Sequence, residues 1–424
     1  MLRQKILFIT ILMLGLNPSG HFAQSLPSDL NQNKAKSVDL SVSSENPHVL
    51  LISLDGFRHD YLNIYKPPFL TSFVDQSCAR LGSLTPIFPS KTFPNHWSLI
   101  TGRYADEHGI VGNSFLNQKT KTKFTLSSPE AKKSHWYKRE PFWLTVKKHG
   151  LKSASYFWPG SDVDEKKRRP DYYRTFDKSV DHQTRINQIV SWFSLPAKER
   201  PRFITLYFSD VDTAGHQDGP ESDAVRKAIM SLDTSLKTLW TRLQSLPISV
   251  NVILVSDHGM QSLEGLRPVY LSDYLSQFKS GYSIVAHGPI SRIYTDSDKL
   301  TQDLFNALNT ETVKFKVYKR NQIPAHYHYS KDKNIGDLLI VSDAPYFIFP
   351  AKGMTNTLKG EHGYDPYTHK DMGGIFYAKG PGIKGGYIET AQTTDVYGFL
   401  YKIMGFDDKT GPSKQTATLD KFLK

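Results

Sequence analysis

Aspartate and histidine recur in this chain directly after short apolar runs. Asp55 follows the run His48–Leu54, and Asp257 and His258 follow the run Val250–Ser256. Short β-branched runs of this kind are typical of buried parallel strands, and open α/β sheets bind their ligands at the carboxyl ends of such strands. Carboxylates and imidazoles collected at one sheet edge are the side chains that a metal-dependent enzyme needs.

Two further segments supply the same residue types. A third apolar run, Phe203–Phe208, leads to Asp212 and His216, which we expect in a glycine-containing loop, and His362 lies in the glycine-flanked segment Gly360–Asp365. The combined set provides enough ligands for two metal sites. Oxygen and nitrogen ligands without thiolates favour Zn²⁺, with Mn²⁺ or Fe as alternatives, over Mg²⁺ and Ca²⁺, which prefer oxygen.

Thr92 is the candidate nucleophile. Pro94 suits the first turn of a helix and Gly102 suits its C-terminal stop, so Thr92 is predicted at or just before a helix N-terminus. Free N–H groups and the helix dipole favour an anion there, and a hydroxyl at that point becomes a nucleophile when a metal activates it. The alternative is an ordinary threonine N-cap.

The strand-end residues fall in three core blocks, at about 48–114, 200–262 and 351–424. Alternating strand-like and helix-like segments predict an α/β fold with a mostly parallel central sheet and helices on both faces. Residues 47–424 would form a single catalytic domain with insertions at about 115–199 and 263–350. The second insertion is predicted to be a small α+β cap.

The N-terminus and the composition bound the compartment and the partners. Residues 1–23 resemble a cleaved secretory signal peptide, and the polar residues 24–46 resemble a flexible spacer, so we expect a secreted or periplasmic protein without a stable membrane anchor. The formal net charge of +12 favours an anionic small-molecule substrate. The basic residues are mostly dispersed, which argues against a specific nucleic-acid groove, and nothing in the sequence fixes the oligomeric state.

Six segments in one order resemble the type I phosphodiesterase/nucleotide pyrophosphatase family, within the alkaline phosphatase superfamily. These segments are Leu54–Arg58, Phe88–His96, Gly109–Asn113, Asp212–Pro220, Ser256–Met260 and His362–Asp365. The resemblance covers most of the chain from about 48 to 405, and it implies an alkaline phosphatase-like fold.

The resemblance also implies a site with two zinc ions. Its ligands would be Asp212, His216 and His362 for one ion, and Asp55, Asp257, His258 and the reactive Thr92 for the other. Asn113 matches the family asparagine that donates to a phosphoryl oxygen. The chain has Asp210 and Val211 where many relatives have Glu-Pro, which makes Asp210 a minor rival ligand, and His369 is a backup ligand only.

The implied reaction is hydrolysis of nucleotide phosphodiester or pyrophosphate bonds through a covalent threonine intermediate, with release of nucleoside 5'-monophosphates. In related nucleotide hydrolases, the residue matching Phe93 and a tyrosine after a Trp-Pro-Gly-Ser segment clamp the base. Tyr173 is predicted for the second role, with Tyr172 as its rival. Two alternatives stay open: a phosphocholine-type lipid phosphodiesterase of the same family, and a secreted binding protein with a decayed site.

Overall fold

The computed structural model describes residues 47–310, 314–407 and 418–424, so the predicted signal peptide and spacer lie outside the described residues. The strands are β1 (His48–Leu54), β2 (Ala79–Thr85), β3 (Ser114–Leu116), β4 (Lys123–Thr125), β5 (Ser153–Tyr156), β6 (Tyr172–Arg174), β7 (Phe203–Phe208), β8 (Val250–Val255), β9 (Gln261–Ser262), β10 (Arg267–Tyr270), β11 (Tyr282–His287), β12 (Ile290–Thr295), β13 (Lys316–Lys319), β14 (Leu338–Val341), β15 (Tyr346–Phe349), β16 (Gly360–Glu361), β17 (Phe376–Lys379) and β18 (Gly386–Gln392). The helices are α1 (Tyr61–Tyr65), α2 (Pro68–Phe73), α3 (Thr92–Thr101), α4 (Ala105–His108), α5 (Phe142–Lys148), α6 (His182–Phe193), α7 (Asp210–Asp218), α8 (Asp223–Gln244), α9 (Ser272–Leu275), α10 (Asp298–Leu308) and α11 (Asp395–Ile403).

An eight-stranded sheet in the order β18-β2-β17-β8-β1-β7-β5-β6 forms the centre of the fold. All neighbouring strands in it are parallel except where β17 pairs with β2 and β8. The three apolar runs of the sequence are the adjacent strands β8, β1 and β7. Their carboxyl ends therefore meet at one edge of the sheet, as predicted.

Helices cover both faces of this sheet. Alternate residues of β1 enter different cores: Val49 and Leu51 pack into one hydrophobic cluster, and Leu50 and Ile52 into the other. The first cluster includes side chains of α3, α5 and α11, and the second includes those of α1, α2, α6 and α8. Because both faces are covered, β1, β7 and β8 are buried at every position and are mostly apolar instead of alternating between apolar and polar residues. The α/β fold class is confirmed.

The segment 115–199 contributes to the central sheet. It was predicted as an insertion between core blocks, but β5 extends the sheet beyond β7 in parallel, and β6 continues it to the edge. The strand β5 is the four-residue sequence Ser153–Tyr156, which is too short and too polar to be recognised as a central strand from its pattern.

The cap is a four-stranded antiparallel sheet in the order β11-β12-β14-β13. Its hydrophobic cluster includes Leu304 and Leu308 of α10, together with Ile293 of β12. Strand β12 follows β11 after a two-residue turn at Gly288 and Pro289. The turn between β11 and β12 approaches strand β16, since a Cβ at Gly288 would lie 3.0 Å from the Glu361 side chain.

Within the described ranges, no helix is long and apolar enough to cross a membrane.

Candidate metal centre

The first group of ligand-type side chains, here called the enclosed cluster, consists of Asp55, Asp257 and His258. Asp55 follows β1, and the other two follow β8. The His258 Nε2 atom lies 3.0 Å from Asp257 Oδ2 and 3.5 Å from Asp55 Oδ1. All three residues are at most 1% exposed, so the cluster is shut off from solvent.

In the enclosed cluster, only one oxygen of each carboxylate accepts a hydrogen bond from a neighbouring group. The Tyr207 hydroxyl donates to Asp55 Oδ2, and the Gly56 N–H donates to Asp257 Oδ1 at 3.3 Å. The remaining oxygens, Asp55 Oδ1 and Asp257 Oδ2, are buried without a hydrogen-bond partner, although His96 Nδ1 lies 3.3 Å from Asp257 Oδ2. Buried carboxylate oxygens without partners are costly unless a cation binds them.

The second group, here called the open cluster, consists of Asp212, His216 and His362. Asp212 Oδ1 lies 3.4 Å from His216 Nε2 and 3.7 Å from His362 Nε2. The Asp212 and His216 side chains are 17% and 19% exposed, so this cluster faces solvent on one side. Asp212 Oδ1 is likewise a buried atom without a hydrogen-bond partner.

The prediction that Asp212 and His216 occupy a loop is wrong, because both lie on helix α7. The carboxylates of Asp210 and Asp212 in the first turn interact favourably with the helix dipole and stabilise the helix, which ends at Gly219. The spacing of four residues then places the Asp212 and His216 side chains on one helix face.

The two clusters adjoin each other. The His258 and His362 rings are stacked with their centroids 3.6 Å apart, and the Asp212 N–H donates to the Asp55 carbonyl at 3.1 Å. A Cβ at Gly56 would lie 2.8 Å from the Asp212 Cα atom, so only glycine allows this approach of β1 and α7.

All three histidines present the same ring nitrogen to the centre. Nδ1 lies within hydrogen-bonding distance of a backbone carbonyl in each case: 2.9 Å from Gly360 O for His216, 2.9 Å from Gly259 O for His258, and 2.8 Å from Ser90 O for His362. Since Nδ1 donates to these carbonyls, the Nε2 lone pair is available for a metal.

The electrostatics of the centre favour a bound cation. Burial and the nearby carboxylates of Asp257 and Asp212 raise the pKa of Asp55 well above its usual range. Burial, together with the charges of His258 and Lys91, lowers the pKa of His362 far below its usual range, so its ring is neutral. Burial lowers the pKa of His258, but the Asp257 carboxylate outweighs this effect and raises it.

The donor set and its spacing fit zinc. Ligand atoms on a tetrahedral zinc lie about 3.4 Å apart, given metal–ligand bonds of about 2.1 Å. The separations quoted above for the two clusters run from 3.0 to 3.7 Å. The partnerless carboxylate oxygens and the oriented Nε2 atoms therefore match a metal-binding site in both clusters.

Thr92 is the first residue of α3, which ends at Gly102 as predicted. Its Oγ1 atom lies 3.2 Å from His258 Nε2, against the enclosed cluster. The residue is 9% exposed, and Lys91 occupies the N-cap position without a side-chain cap. The hydroxyl therefore lies beside both the ligand cluster and the free N–H groups of the helix terminus.

The side chain of Asn113 is hydrogen-bonded to the N-terminus of α3. Its Oδ1 atom accepts a hydrogen bond from the Phe93 N–H at 2.9 Å. This bond fixes the orientation of the amide, since the Phe93 N–H requires the oxygen, and it leaves the two Nδ2 hydrogens to donate elsewhere.

Sequence reasoning missed a buried ion pair beside the open cluster. Lys91 Nζ donates to Glu361 Oε1 at 2.8 Å, and both side chains are at most 3% exposed. The same oxygen accepts the His362 N–H at 2.9 Å, so the pair connects the nucleophile segment to a ligand residue. The sequence signal for this ion pair is that Glu361 immediately precedes the predicted ligand His362. Burial lowers the pKa of Lys91, and the charge of Arg292 adds to this effect.

The rival ligands lie elsewhere. The Asp210 carboxylate points to His182 Nε2, at 3.1 Å, whereas Asp212 faces the open cluster. His369 Nε2 accepts the Ala344 N–H at 3.3 Å.

The two tyrosines predicted to clamp the base lie on the edge strand β6, where their hydroxyls form hydrogen bonds within the protein. The Tyr172 hydroxyl donates to the Glu199 carbonyl, and the Tyr173 hydroxyl accepts from Arg169 at 2.7 Å. Sequence reasoning missed Phe176, which is 49% exposed. Its ring centroid lies 6.0 Å from that of Tyr207, the residue that donates to Asp55.

Comparison with known proteins agrees with this geometry. The type I phosphodiesterase/nucleotide pyrophosphatase family model matches residues 49–365. Rat ectonucleotide pyrophosphatase/phosphodiesterase family member 3 is 34% identical over 374 residues, which are 85% of this chain but only 42% of that protein. The bis(5'-adenosyl)-triphosphatase enpp4 of Xenopus laevis is 32% identical over 385 residues, covering 90% of this chain and 82% of that protein.

A solved structure of a protein with a related name has a similar fold. Inactive murine ectonucleotide pyrophosphatase/phosphodiesterase 5, in complex with AMP, is similar with a TM-score of 0.82 and 30% identity. The match covers 89% of this chain and 100% of that chain. Motifs, fold and relatives agree, and the chain belongs to the type I phosphodiesterase/nucleotide pyrophosphatase family.

Proposed function

We infer that this protein is a secreted or periplasmic, zinc-dependent hydrolase of nucleotide phosphodiester or pyrophosphate bonds that releases nucleoside 5'-monophosphates. One observation carries the inference: the Thr92 hydroxyl lies at the start of α3, 3.2 Å from His258 Nε2 of the enclosed cluster. The names of the relatives, and the AMP in the murine structure, support nucleotides as the substrate class.

Two zinc ions would be held by Asp212, His216 and His362, and by Asp55, Asp257, His258 and Thr92 Oγ1. Zinc bound there would act as a Lewis acid, polarising the phosphoryl oxygens and lowering the pKa of the threonine hydroxyl and of water.

The chain's own residues would carry the covalent steps. Thr92 Oγ1, after losing its proton to solvent, attacks phosphorus in line, and the bond from phosphorus to the leaving oxygen breaks. Water then attacks phosphorus of the nucleotidyl-threonine, the bond between phosphorus and Oγ1 breaks to release the nucleoside 5'-monophosphate, and Thr92 Oγ1 takes up the proton that the water loses. The Asn113 amide and the N–H groups at the start of α3 would donate to the phosphoryl oxygens as their charge increases.

Aromatic and apolar groups beside the centre support a substrate with a base. Phe93 follows the nucleophile, Phe176 is exposed next to Tyr207, and Leu126 is 39% exposed while its N–H donates to the Asn113 carbonyl. Together they provide apolar surface on which a nucleobase could stack. Tyr173 and Tyr172 remain predictions for the same role.

The decisive experiment compares wild type with Thr92→Ala on a panel of chromogenic nucleotide diesters, phosphomonoesters and phosphocholine esters, with and without chelator. We expect the diesters to be preferred and chelation to abolish turnover. Thr92→Ala should lower kcat by at least about 10³-fold, because the variant lacks the hydroxyl that would attack phosphorus. It should keep its metals in elemental analysis.

Each alternative predicts a different result in this panel. Preference for the phosphocholine ester would replace the nucleotide assignment with a lipid-type diesterase. Absence of tightly bound metal and of turnover would identify a decayed binding protein. Near-normal activity of Thr92→Ala would remove the nucleophile assignment.

A further inference from the structure

A buried arginine of the cap lies directly behind the loop that carries Asn113. Arg292 belongs to β12 and is 2% exposed. Its Nη2 atom donates at 2.6 Å to the Val111 carbonyl and at 2.6 Å to the Tyr329 hydroxyl, and its Nε atom donates to that hydroxyl at 2.9 Å. The Tyr329 hydroxyl also donates to the Val111 carbonyl. These hydrogen bonds form a closed triangle that joins the cap to the loop.

The guanidinium packs directly against the backbone of Gly112, the residue before Asn113. A Cβ at Gly112 would lie 2.8 Å from Arg292 Nη2. The next residue, Asn113, is 5% exposed, and its Oδ1 atom accepts from the Phe93 N–H. Arg292 therefore fixes the backbone immediately before the side chain that faces the nucleophile helix.

Arg292 is held by neutral hydrogen-bond partners. No carboxylate of the described residues forms an ion pair with it, and its partners are a carbonyl and a phenol. Burying a cation without a counter-ion is costly, and here the guanidinium is stabilised by its hydrogen bonds to the Val111 carbonyl and the Tyr329 hydroxyl. A fixed positive charge behind a phosphoryl site favours an anionic substrate and the charge that develops on it.

We propose that Arg292 is a positioning residue for the hydrolysis inferred above, on which this assignment rests. It holds the Val111–Asn113 segment so that the Asn113 amide donates to the phosphoryl oxygen, and Tyr329 keeps the guanidinium in place. The cap thereby contributes to catalysis without touching the substrate.

A double-mutant cycle tests whether Arg292 acts through Asn113. The full-length, zinc-loaded enzyme is compared as wild type, Arg292→Met, Asn113→Ala and the double variant on a chromogenic nucleotide diester. We expect Arg292→Met to lower kcat about 30-fold with KM changed by less than about 3-fold, and to lower it less than about 3-fold once Asn113 is alanine. An equal loss in both backgrounds would show a general packing role and overturn the proposal.

Milder variants cover the case in which Arg292→Met does not fold. Tyr329→Phe keeps the bond from Arg292 to Val111, so kcat should fall about 5-fold, again only when Asn113 is present. Arg292→Lys should recover part of the loss, because it keeps the charge but not the forked geometry. As a matched control, Arg320→Met removes a cap arginine that donates to the Gly336 carbonyl at 3.0 Å and should leave kcat unchanged.

A readout without turnover separates this inference from the proposed function. If the wild type hydrolyses no diester in the assay, the proposed function fails, but hydrogen exchange still reports on Arg292. The backbone amides of residues 109–113 should exchange at least about 10-fold faster in Arg292→Met than in wild type or Arg320→Met. Unchanged exchange in this loop would refute the positioning role.

Discussion

The enclosed and open clusters use the same residue types but differ in how they meet solvent. The enclosed cluster follows two adjacent strands of the sheet, and its side chains are at most 1% exposed. The open cluster combines a helix face with His362, and two of its three side chains are 17% and 19% exposed. In the proposed reaction, we expect the enclosed cluster to hold the nucleophile and the more exposed open cluster to admit substrate and water.

Asp257→Asn and Asp212→Asn should give the largest contrast between the clusters. Removing the buried Asp257 charge should lower kcat/KM at least about 10³-fold and zinc content by one ion, because water cannot enter to replace the ligand. Asp212→Asn should cost about 10²-fold and recover partly with excess zinc, since the neutral amide is a weaker ligand and water can reach this solvent-facing site to complete the coordination. Elemental analysis and zinc-dependent kinetics measure both effects. Equal losses and equal recovery would remove the functional distinction.

Tyr207→Phe tests how strongly the enclosed cluster depends on its surrounding hydrogen bonds. Loss of the hydroxyl that donates to Asp55 should weaken zinc affinity about 10–100-fold, as for other groups that orient metal ligands. Titration against a competing chelator measures this affinity. Tyr65→Phe is the matched control, because its buried hydroxyl donates to the Pro220 carbonyl instead, and it should leave zinc affinity unchanged.

Phe176→Ala examines the solvent side of the centre. We expect KM for a nucleotide diester to rise about 10-fold with kcat unchanged, from the loss of one stacking contact of about 1–3 kcal/mol. A phosphate diester without a base should be unaffected. Tyr173→Ala should have little effect if Phe176 is the stacking residue. The reverse pattern would restore the tyrosine predicted from the sequence.

Asp55→Asn tests how strongly the carboxylate of Asp55 is repelled by those of Asp257 and Asp212 when metal is removed. The pKa of Asp55 is raised in the folded protein, so its stabilising contribution is complete below about pH 4 and is lost as pH rises through the higher folded value. Chelator-treated Asp55→Asn should therefore melt roughly 3 °C higher than chelator-treated wild type at pH 8, and the gap should close toward pH 4. Calorimetry with zinc should show the opposite order. A metal-free variant less stable than wild type at pH 8 would contradict this explanation.

Local pattern was sufficient where the site is built from strand ends. The runs before Asp55 and Asp257 are mostly apolar without a strict alternation, which is typical of strands buried on both faces. Pro94 and Gly102 were enough to locate α3. Pattern failed at the segment Asp212–His216, where a central glycine suggested a loop. The acidic first turn favours a helix there, and Gly215 leaves room for Met260, since a Cβ at that position would lie 3.1 Å from the Met260 Cε atom.

The sequence by itself determined the fold class and the family resemblance, and it predicted the ligand types and the nucleophile, because these depend on residue identity and on spacing within single segments. Tertiary structure alone decided which carboxylate oxygens lack partners, which cluster is open, and that Arg292 and the Lys91–Glu361 pair lie behind the reacting groups. These features join residues that are 181 and 270 positions apart in the chain. Burial and charge at such distances are set by packing, which no local pattern encodes.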